Sequence, residues 1–491
     1  MRRTTPLLLL STLLASACAT DRLDLAPPRP DRPLAIPADF STLPAPGSAP
    51  ATAAEAPEAP EAPSVTVDPA QRYDLAALID LAQRSNPETR VAWEKARQAA
   101  LAVGLNEAAY LPQISAEVIG GFQHTPLPVP ETLIPKGYFT SNSRELIPSL
   151  TAKWLLFDFG QREGDIDAAK ANSFVANVAF TGAHQKLIYQ VSRDYFALGA
   201  ARGRLKVAQK ALETALVVQD ATEKKRTNGL ATVVAVHQAE RETAQARFTL
   251  ERARGAERSA YTALMVSLGV PPSTRVRTAD SSDLPLPAMP SGDVEQLIHE
   301  ALGSRPDMLA ALGKIRAAEA SVRGAKATYY PTVGFDAKLF ENAGQLSSQG
   351  GPYSSVNLPG SSVLLKISLP LYDAGVRDAK LALARSELDA AHSELDRARD
   401  AASKQVIDAY DAISTGFAEY QAAVTLDVAA QAAYDSALEA YHHGVGTYTD
   451  LVSAETSLAR AQSDREDSHA NVFTAAAALA FATGSIAAGS Q

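Results

Sequence analysis

The sequence predicts a mainly α protein with a small β part, in which two long helical hairpins and two β-hairpins arise by tandem duplication. Three observations carry this reading. From Gly160 to Arg226 the chain holds no proline, and Val191, Tyr195, Leu198, Leu205 and Leu212 fall on one coiled-coil seam. The same pattern returns in the second half of the chain. Between the helical stretches lie four segments in which apolar and polar residues alternate, the period of a strand.

The duplication fixes the boundaries. Tyr110-Leu111-Pro112 pairs with Tyr329-Tyr330-Pro331 at an offset of 219, as do Leu78-Ile79 with Leu297-Ile298 and Pro87 with Pro306. Further on, Asp158-Phe159-Gly160 pairs with Asp373-Ala374-Gly375, Tyr195 with Tyr410, Gly229 with Gly444, Ala239-Glu240 with Ala454-Glu455 and Gly269 with Gly484, all at 215. The four residues by which the offsets differ fall between Pro112 and Asp158, an interval that bears a loop in both repeats. The expected organisation is a signal over 1–17, an acylated N-terminus and tether over 18–71, a first repeat over 72–291 and a second over 292–491. The first repeat carries a β-hairpin at about 111–158 and a helical tip near 229; the second carries a β-hairpin at about 331–371 and a tip near 444.

The chain opens as an export signal: Arg2 and Arg3, an apolar run from Leu7 to Leu14, then Ala15-Ser16-Ala17-Cys18. Two readings cut the same bond, ordinary cleavage after the Ala15 and Ala17 pattern, or a lipobox that leaves Cys18 acylated as the first residue. The short signal and the placement of the sole cysteine favour lipidation. Removing Arg2 and Arg3 takes the net charge from -9 to -11. From Ala26 to Pro63 the Pro/Ala-rich chain reads as an extended tether with no core of its own. Leu75 to Arg84 and Pro87 to Ala109 are helical patterns, the second opened by a proline in the first turn.

The period then changes. Leu150, Ala152, Trp154 and Leu156 alternate with Thr151 and Lys153; Val333, Phe335, Ala337 and Leu339 alternate with Thr332, Gly334, Asp336 and Lys338; Val363, Leu365, Ile367 and Leu369 alternate with Ser362, Lys366 and Ser368. Residues 113 to 122 form a fourth, weaker case. Strands of about nine to ten residues match a tilted crossing of a bilayer, although on periodicity alone a half-buried strand in a soluble sheet is the commoner explanation. Long loops, Gln123 to Pro148 and Glu341 to Ser361, are expected to join them. Four strands cannot close a barrel without unpaired edges, so closure must come from other chains.

Each hairpin is followed by a long helix of about 100 Å at 1.5 Å per residue, a break and a return helix. In the second repeat Val406, Tyr410, Ile413, Phe417, Tyr420 and Val424 step by fours and threes, and Leu451, Ala454, Leu458 and Ala461 continue the seam. The breaks are Thr227-Asn228-Gly229-Leu230 and His442-His443-Gly444-Val445-Gly446-Thr447, where glycine supplies a left-handed turn. Acidic net charge without a basic stripe argues against nucleic-acid binding. With one cysteine, no metal-ligand spacing among the histidines and no phosphate loop, G-x-S-x-G or H-E-x-x-H, neither an enzyme nor a bound cofactor or metal is expected.

This layout resembles the outer-membrane efflux channels, the TolC-like family of Gram-negative bacteria, over about residues 72 to 485. The carriers are the paired Tyr-x-Pro motifs before each first strand, Leu155-Leu156-Phe157-Asp158-Phe159-Gly160 and Leu369-Pro370-Leu371-Tyr372-Asp373-Ala374-Gly375 after each second strand, and the tip from Tyr441 to Thr447 followed by Asp450-Leu451-Val452. The resemblance implies a homotrimer whose three chains build one twelve-stranded barrel in the outer membrane, continuous with a periplasmic α-barrel. It further implies docking of a periplasmic adaptor and an inner-membrane pump, with Gly229 and Gly444 in the adaptor-contacting grooves.

Family members also carry acidic residues past the second tip that ring the periplasmic entrance. Asp450 matches the first; the second, three residues on, is Ser453 here, and Ala235 holds the matching place in the first repeat. Three Asp450 side chains about one axis would repel each other, raising their pKa. A helix N-terminal aspartate stabilised by the dipole is a compatible alternative role. The function expected is a passive exit duct for efflux or secretion; the alternative is a periplasmic coiled-coil scaffold lipoprotein that never spans the membrane. The cargo is set by a pump that is not in this chain.

Overall fold

The computed structural model describes residues 22–34, 67–282, 284–290 and 292–486; the signal and Cys18 lie outside them. In chain order the elements are β1 (Arg72–Tyr73), α1 (Leu75–Ser85), α2 (Pro87–Glu107), β2 (Gln113–Pro128), β3 (Tyr138–Phe157), α3 (Gln161–Thr227), α4 (Val233–Leu268), β4 (Arg277–Thr278), α5 (Val294–Ser304), α6 (Pro306–Ala327), β5 (Thr332–Ser348), β6 (Ser354–Ser368), α7 (Val376–His442) and α8 (Tyr448–Ala482). The chain divides into two compact units, one built on 98–173 and 313–392, the other on 26–97, 174–312 and 393 onward.

The first unit holds an antiparallel sheet in the order β2-β3-β5-β6, so the two hairpins lie side by side and β2 and β6 are its edges. Its strands are 16, 20, 17 and 15 residues long, well beyond the nine to ten expected, and the joining loops shrink to 129–137 and 349–353. The reason is that backbone pairing continues where side-chain alternation stops: Gln123, His124 and Thr125 still pair with Ser143, Asn142 and Ser141. A ladder needs only N–H and C=O groups, which a hydropathy period does not register. Pro148 leaves its mark inside β3, because pairing to β5 lapses between Leu146↔Ala343 and Ser149↔Phe340, where the missing N–H falls.

Each strand-to-helix corner is built by the same residues in both repeats. Asp158 accepts from the Arg162 amide and Nε, both at 2.9 Å, while Asp373 accepts from the Arg377 amide at 3.2 Å and its Nε at 2.7 Å. The chain bends through positive φ at Phe159 and Gly160, and at Ala374 and Gly375. Here the Tyr-x-Pro motifs acquire a purpose: Tyr110 lies under the Arg162 guanidinium at 4.4 Å and Tyr329 under that of Arg377 at 5.3 Å.

In the second unit α1 packs on α3 and α4 through Leu78, Leu81, Leu187, Val191, Leu198, Leu264, Met265 and Leu268, each effectively out of water. A leucine so placed contributes about 2 kcal/mol. The second repeat builds its own cluster from Ala301, Val406, Ala409, Ile413, Ala475, Leu479 and Ala482, in which Ala301, Val406 and Leu479 repeat Ala82, Val191 and Leu264 of the first. Gly269, at φ 72°, closes α4 against the α1–α2 corner so tightly that a Cβ would lie 2.5 Å from Asn86 Cα. Gly484 repeats the turn at φ 73°, with Ser304 Oγ donating to Thr483 O at 2.9 Å.

One ionic layer crosses all four long helices. Arg202 of α3 meets Glu257 of α4 at 3.6 Å, Arg204 of α3 binds Asp467 of α8, and Arg465 of α8 reaches Asp427 of α7 at 2.7 Å. It orders the helices α4-α3-α8-α7.

Part of the expected tether is packed instead. The Trp93 indole, 3% exposed, donates to Pro27 O at 2.7 Å, Thr181 Oγ1 donates to Leu34 O at 3.2 Å, and His184 Nε2 lies 3.2 Å from Pro30 O. Proline removes N–H groups but leaves carbonyls as acceptors, and the helices supply the donors. Burial pushes the His184 imidazole down to about 4, so it docks this segment as the neutral ring.

Candidate functional site

Two features have no role in an ordinary core: the outward faces of the sheet, in the first unit, and the helix tips, in the second. On one sheet face Ile114, Ala116 and Val118 align with Ala152, Leu150 and Pro148, then with Ala337 and Leu339, then with Val363. Phe335 and Leu365 extend the row. The other face brings Lys153 opposite Asp336, Thr151 opposite Ser115 and Lys338 opposite Ser362. Thus one face is apolar and one polar. The apolar face is open: Val363, Leu365 and Ile367 are 68%, 65% and 69% exposed. A row of this size facing water would be an aggregation surface in a soluble protein. Among the described residues no helix is long and apolar enough to cross a membrane.

The tips follow the duplication atom for atom. At the first, Gly229 at φ 75° donates to Arg226 O at 2.9 Å and Leu230 donates to Lys225 O at 2.8 Å; at the second, Gly444 at φ 75° donates to Tyr441 O at 3.3 Å and Val445 to Ala440 O at 3.0 Å. These are Schellman closures, which satisfy the last helical carbonyls and require a left-handed residue. A Cβ on either glycine would meet open space, so within the chain it is the left-handed backbone conformation that selects glycine there. Leu230 and Val445 stand 77% and 84% exposed at the two apices.

The return helices also start alike, up to one residue. Thr232 Oγ1 accepts from Ala235 N at 3.2 Å and Thr447 Oγ1 accepts from Asp450 N at 3.1 Å. Only the second repeat completes a capping box: Asp450 Oδ2 accepts from the Thr447 hydroxyl at 2.7 Å and from its amide at 3.2 Å. These bonds hold the Asp450 carboxyl below its ordinary value, the hydroxyl contributing most. Within one chain the shift is therefore opposite to the rise expected of a threefold ring. His442 and His443 do not converge on a site; His443 Nε2 faces Glu439 at 3.4 Å on the exposed helix end, and no group of metal-binding side chains occurs among the described residues.

Behind the second tip lies a cluster that sequence reasoning did not single out. The Thr222 and Tyr441 hydroxyls are 3.3 Å apart, Lys225 Nζ sits 3.9 Å from the centre of the Tyr441 ring, and the rings of Tyr441 and Tyr448 are 6.2 Å apart. Burial, and secondarily the charge of Glu242, push the Glu455 carboxyl up to about 7; burial and both carboxylates push the Tyr448 hydroxyl up to about 12. The sign follows from linkage. Folded Glu455 holds a proton that the unfolded chain has released, so stability falls as pH rises from the ordinary glutamate value to about 7. Glu455→Gln should flatten the profile in that window and stabilise the protein at pH 8 by on the order of 1 kcal/mol after solvent screening, read from urea unfolding at both pH values.

A family profile described as Outer membrane efflux protein matches residues 78–270 and 297–485, one block in each repeat. The chain belongs to the outer membrane efflux protein family. Protein CyaE of Bordetella pertussis is 29% identical to it over 422 residues, 85% of this chain and 86% of that protein. The cation efflux system protein CusC of Escherichia coli K12 is 25% identical over 382 residues, 78% of this chain and 80% of that protein. Among solved structures, the CmeC outer membrane channel of Campylobacter jejuni matches with a TM-score of 0.72 at 18% identity, covering 84% of this chain and 85% of that one. The fold of the efflux family, mostly helical with a small sheet part, is thereby established, as is an outer-membrane location extending into the periplasm.

Membership explains the carriers of the resemblance in physical terms. The duplicated aspartates and tyrosines are the corner just described, and the tip glycines are Schellman residues. Glu455 was hidden because its position in the duplication pairs it with Glu240, an exposed residue bonded to His237 at 2.9 Å. Nothing in local sequence separates the two.

Proposed function

We propose that the protein is the exit duct of a tripartite efflux or secretion system, a passive channel with no chemistry of its own. The observation that supports it most is a four-stranded sheet with an open apolar face and two unpaired edges. Such a sheet is stable only if lipid covers the face and other chains cover the edges. Three copies pairing β6 to β2 give a closed barrel of twelve strands, and the long helices carry the conduit into the periplasm. Acylation of Cys18 anchors the start of the chain to the same membrane. A scaffold lipoprotein would have no use for the open apolar face.

In this reading the tips at Gly229 and Gly444 dock a periplasmic adaptor, through which an inner-membrane pump drives transport. CusC is named for cation efflux; cargo choice in this chain rests with its pump. Asp450 rings the entrance with three carboxylates. Its capping hydrogen bonds to Thr447 favour the ionised carboxylate, so the ring is expected to stay charged in mildly acid solution.

Conductance in planar bilayers tests this directly. The wild-type chain is expected to form stable pores whose cation preference persists at pH 5, and Asp450→Ala to lower that preference about twofold or more. No pores from a folded preparation would remove the duct. Pores indifferent to Asp450→Ala would keep the duct and move its charged constriction elsewhere.

A further inference from the structure

The polar face of the sheet changes character along its strands. Near the strand-to-helix corners it holds Lys153 opposite Asp336, Lys338 opposite Thr151 and Lys366 opposite Gly334. Three lysines share this stretch of wall with one carboxylate, and among the described residues no ion pair takes up any of them. The next carboxylate on the face, Glu117, stands about 13 Å along β2 from Gln113, the partner of Lys153.

Two residues beyond Lys338 comes Phe340. It aligns with Gly360, where a Cβ would collide with the ring, so the ring lies down across β6. Lys338 Nζ sits 5.7 Å from the centre of that ring. Beyond it on the same face come Leu358, 63% exposed, and the cross-strand pair Ile119 and Ile147. From Lys338 to Asn342, the partner of Leu358, the strand rises about 13 Å. A cationic belt and an apolar shelf thus follow one another on a single wall.

We propose that this wall is a binding site for an anionic amphiphile, with a sulfonate, carboxylate or phosphate head on a flat apolar body about 10 Å long. The head sits among Lys153, Lys338 and Lys366, and the body lies on Phe340 and Leu358. The inference rests on the duct reading, in which this face lines the lumen, so neither lipid nor a neighbouring copy covers the shelf. A cation is repelled by the belt, and a small hydrophilic anion leaves the shelf unused. The belt also commands the passage. A twelve-stranded barrel tilted by about 40° is about 24 Å across between backbones. Lysines reaching about 6 Å inward bring their ammonium groups to about 6 Å from the axis, inside the screening length of about 8 Å. Asp450 remains the determinant for small cations at the entrance, while the wall acts on larger anionic solutes.

Single-channel recording of the full chain in planar bilayers at about 0.1 M salt tests the site, with naphthalenesulfonate as the probe. Reversible partial interruptions of the current are expected. They should be about tenfold more frequent than with methanesulfonate, which has the head alone, or with trimethyl(naphthyl)ammonium, which has the body and the opposite charge. Raising the salt to about 1 M, where screening shortens to about 3 Å, should suppress them. Lys153→Gln, Lys338→Gln and Lys366→Gln together should lower their frequency about tenfold while channels still open, and Phe340→Ser should shorten each interruption about threefold. Open channels that the probe never interrupts, or interruptions equal in wild type and the triple lysine variant, overturn the site and leave the duct standing. Interruptions as frequent with methanesulfonate overturn the amphiphile and reduce the wall to a site for simple anions. No channels from a folded preparation removes the duct reading and the site with it.

Discussion

Arg162→Ala is expected to cost about 3–5 kcal/mol, because it strips one partner from a buried, fully bonded ion pair. The Arg162 and Asp158 side chains are 8% and 6% exposed. Besides Asp158, the guanidinium donates to Ala109 O at 2.9 Å, Leu155 O at 2.7 Å and Leu156 O at 3.2 Å, and it stacks on Tyr110. Those carbonyls end the last turn before β2 and the last residues of β3, so one side chain ties both strand ends to the start of α3. Alanine would leave a buried carboxylate and three carbonyls without their donor. Arg162→Lys should recover little, since an ammonium cannot reproduce the planar fork. The equivalent Arg377→Ala should do less, as its pair is more open and, among the described residues, no carbonyl ties to the strands accompany it. Urea unfolding of the detergent-solubilised protein ranks the three; equal midpoints for Arg162→Ala and wild type would refute the corner's role.

That corner shows what sequence can and cannot reveal here. Asp158, Gly160 and Tyr110 were visible as repeated letters, and the repeat located them at matching places in each half. Their partner Arg162 is repeated too, as Arg377, yet it sat inside a helical pattern where an arginine is unremarked. The tips were legible because glycine at a helix end has one common use, and φ 75° at both Gly229 and Gly444 is that use. The strand ends were not legible, because Ser141 to Ser143 and Gln123 to Thr125 are held by backbone ladders without an apolar row. The docked segment after Arg22 was hidden for a related reason. Its attachment runs through the backbone carbonyls of Pro27, Pro30 and Leu34, and a Pro/Ala-rich composition is the same whether those carbonyls meet water or side chains such as the Trp93 indole. Glu455 shows a further limit: a carboxylate's proton affinity depends on what packs around it from α4 and α7, which no local pattern encodes.

A charge placed at Leu365 should stop the protein from assembling in the outer membrane, whereas the same charge one residue earlier should be tolerated. Leu365 lies on the apolar face opposite Phe335, and Leu364 lies on the polar face opposite Asp336. Both are well exposed in the single chain, 65% and 60%, so burial does not distinguish them. The surrounding medium does. If the apolar face meets lipid as proposed, an arginine near mid-membrane costs about 2–4 kcal/mol per copy, and the proposed trimeric barrel would incur it three times. On the other side Leu364→Arg brings a guanidinium opposite the Asp336 carboxylate. Because strand residues alternate, a one-residue shift of β6 that turned the Leu365→Arg side chain inward would turn the whole apolar row inward with it. Membrane fractionation together with heat-modifiable migration on gels reads the outcome. Loss of both variants would point to general intolerance of charge in β6, and survival of both would mean that the apolar face does not meet lipid, returning the sheet to the scaffold alternative.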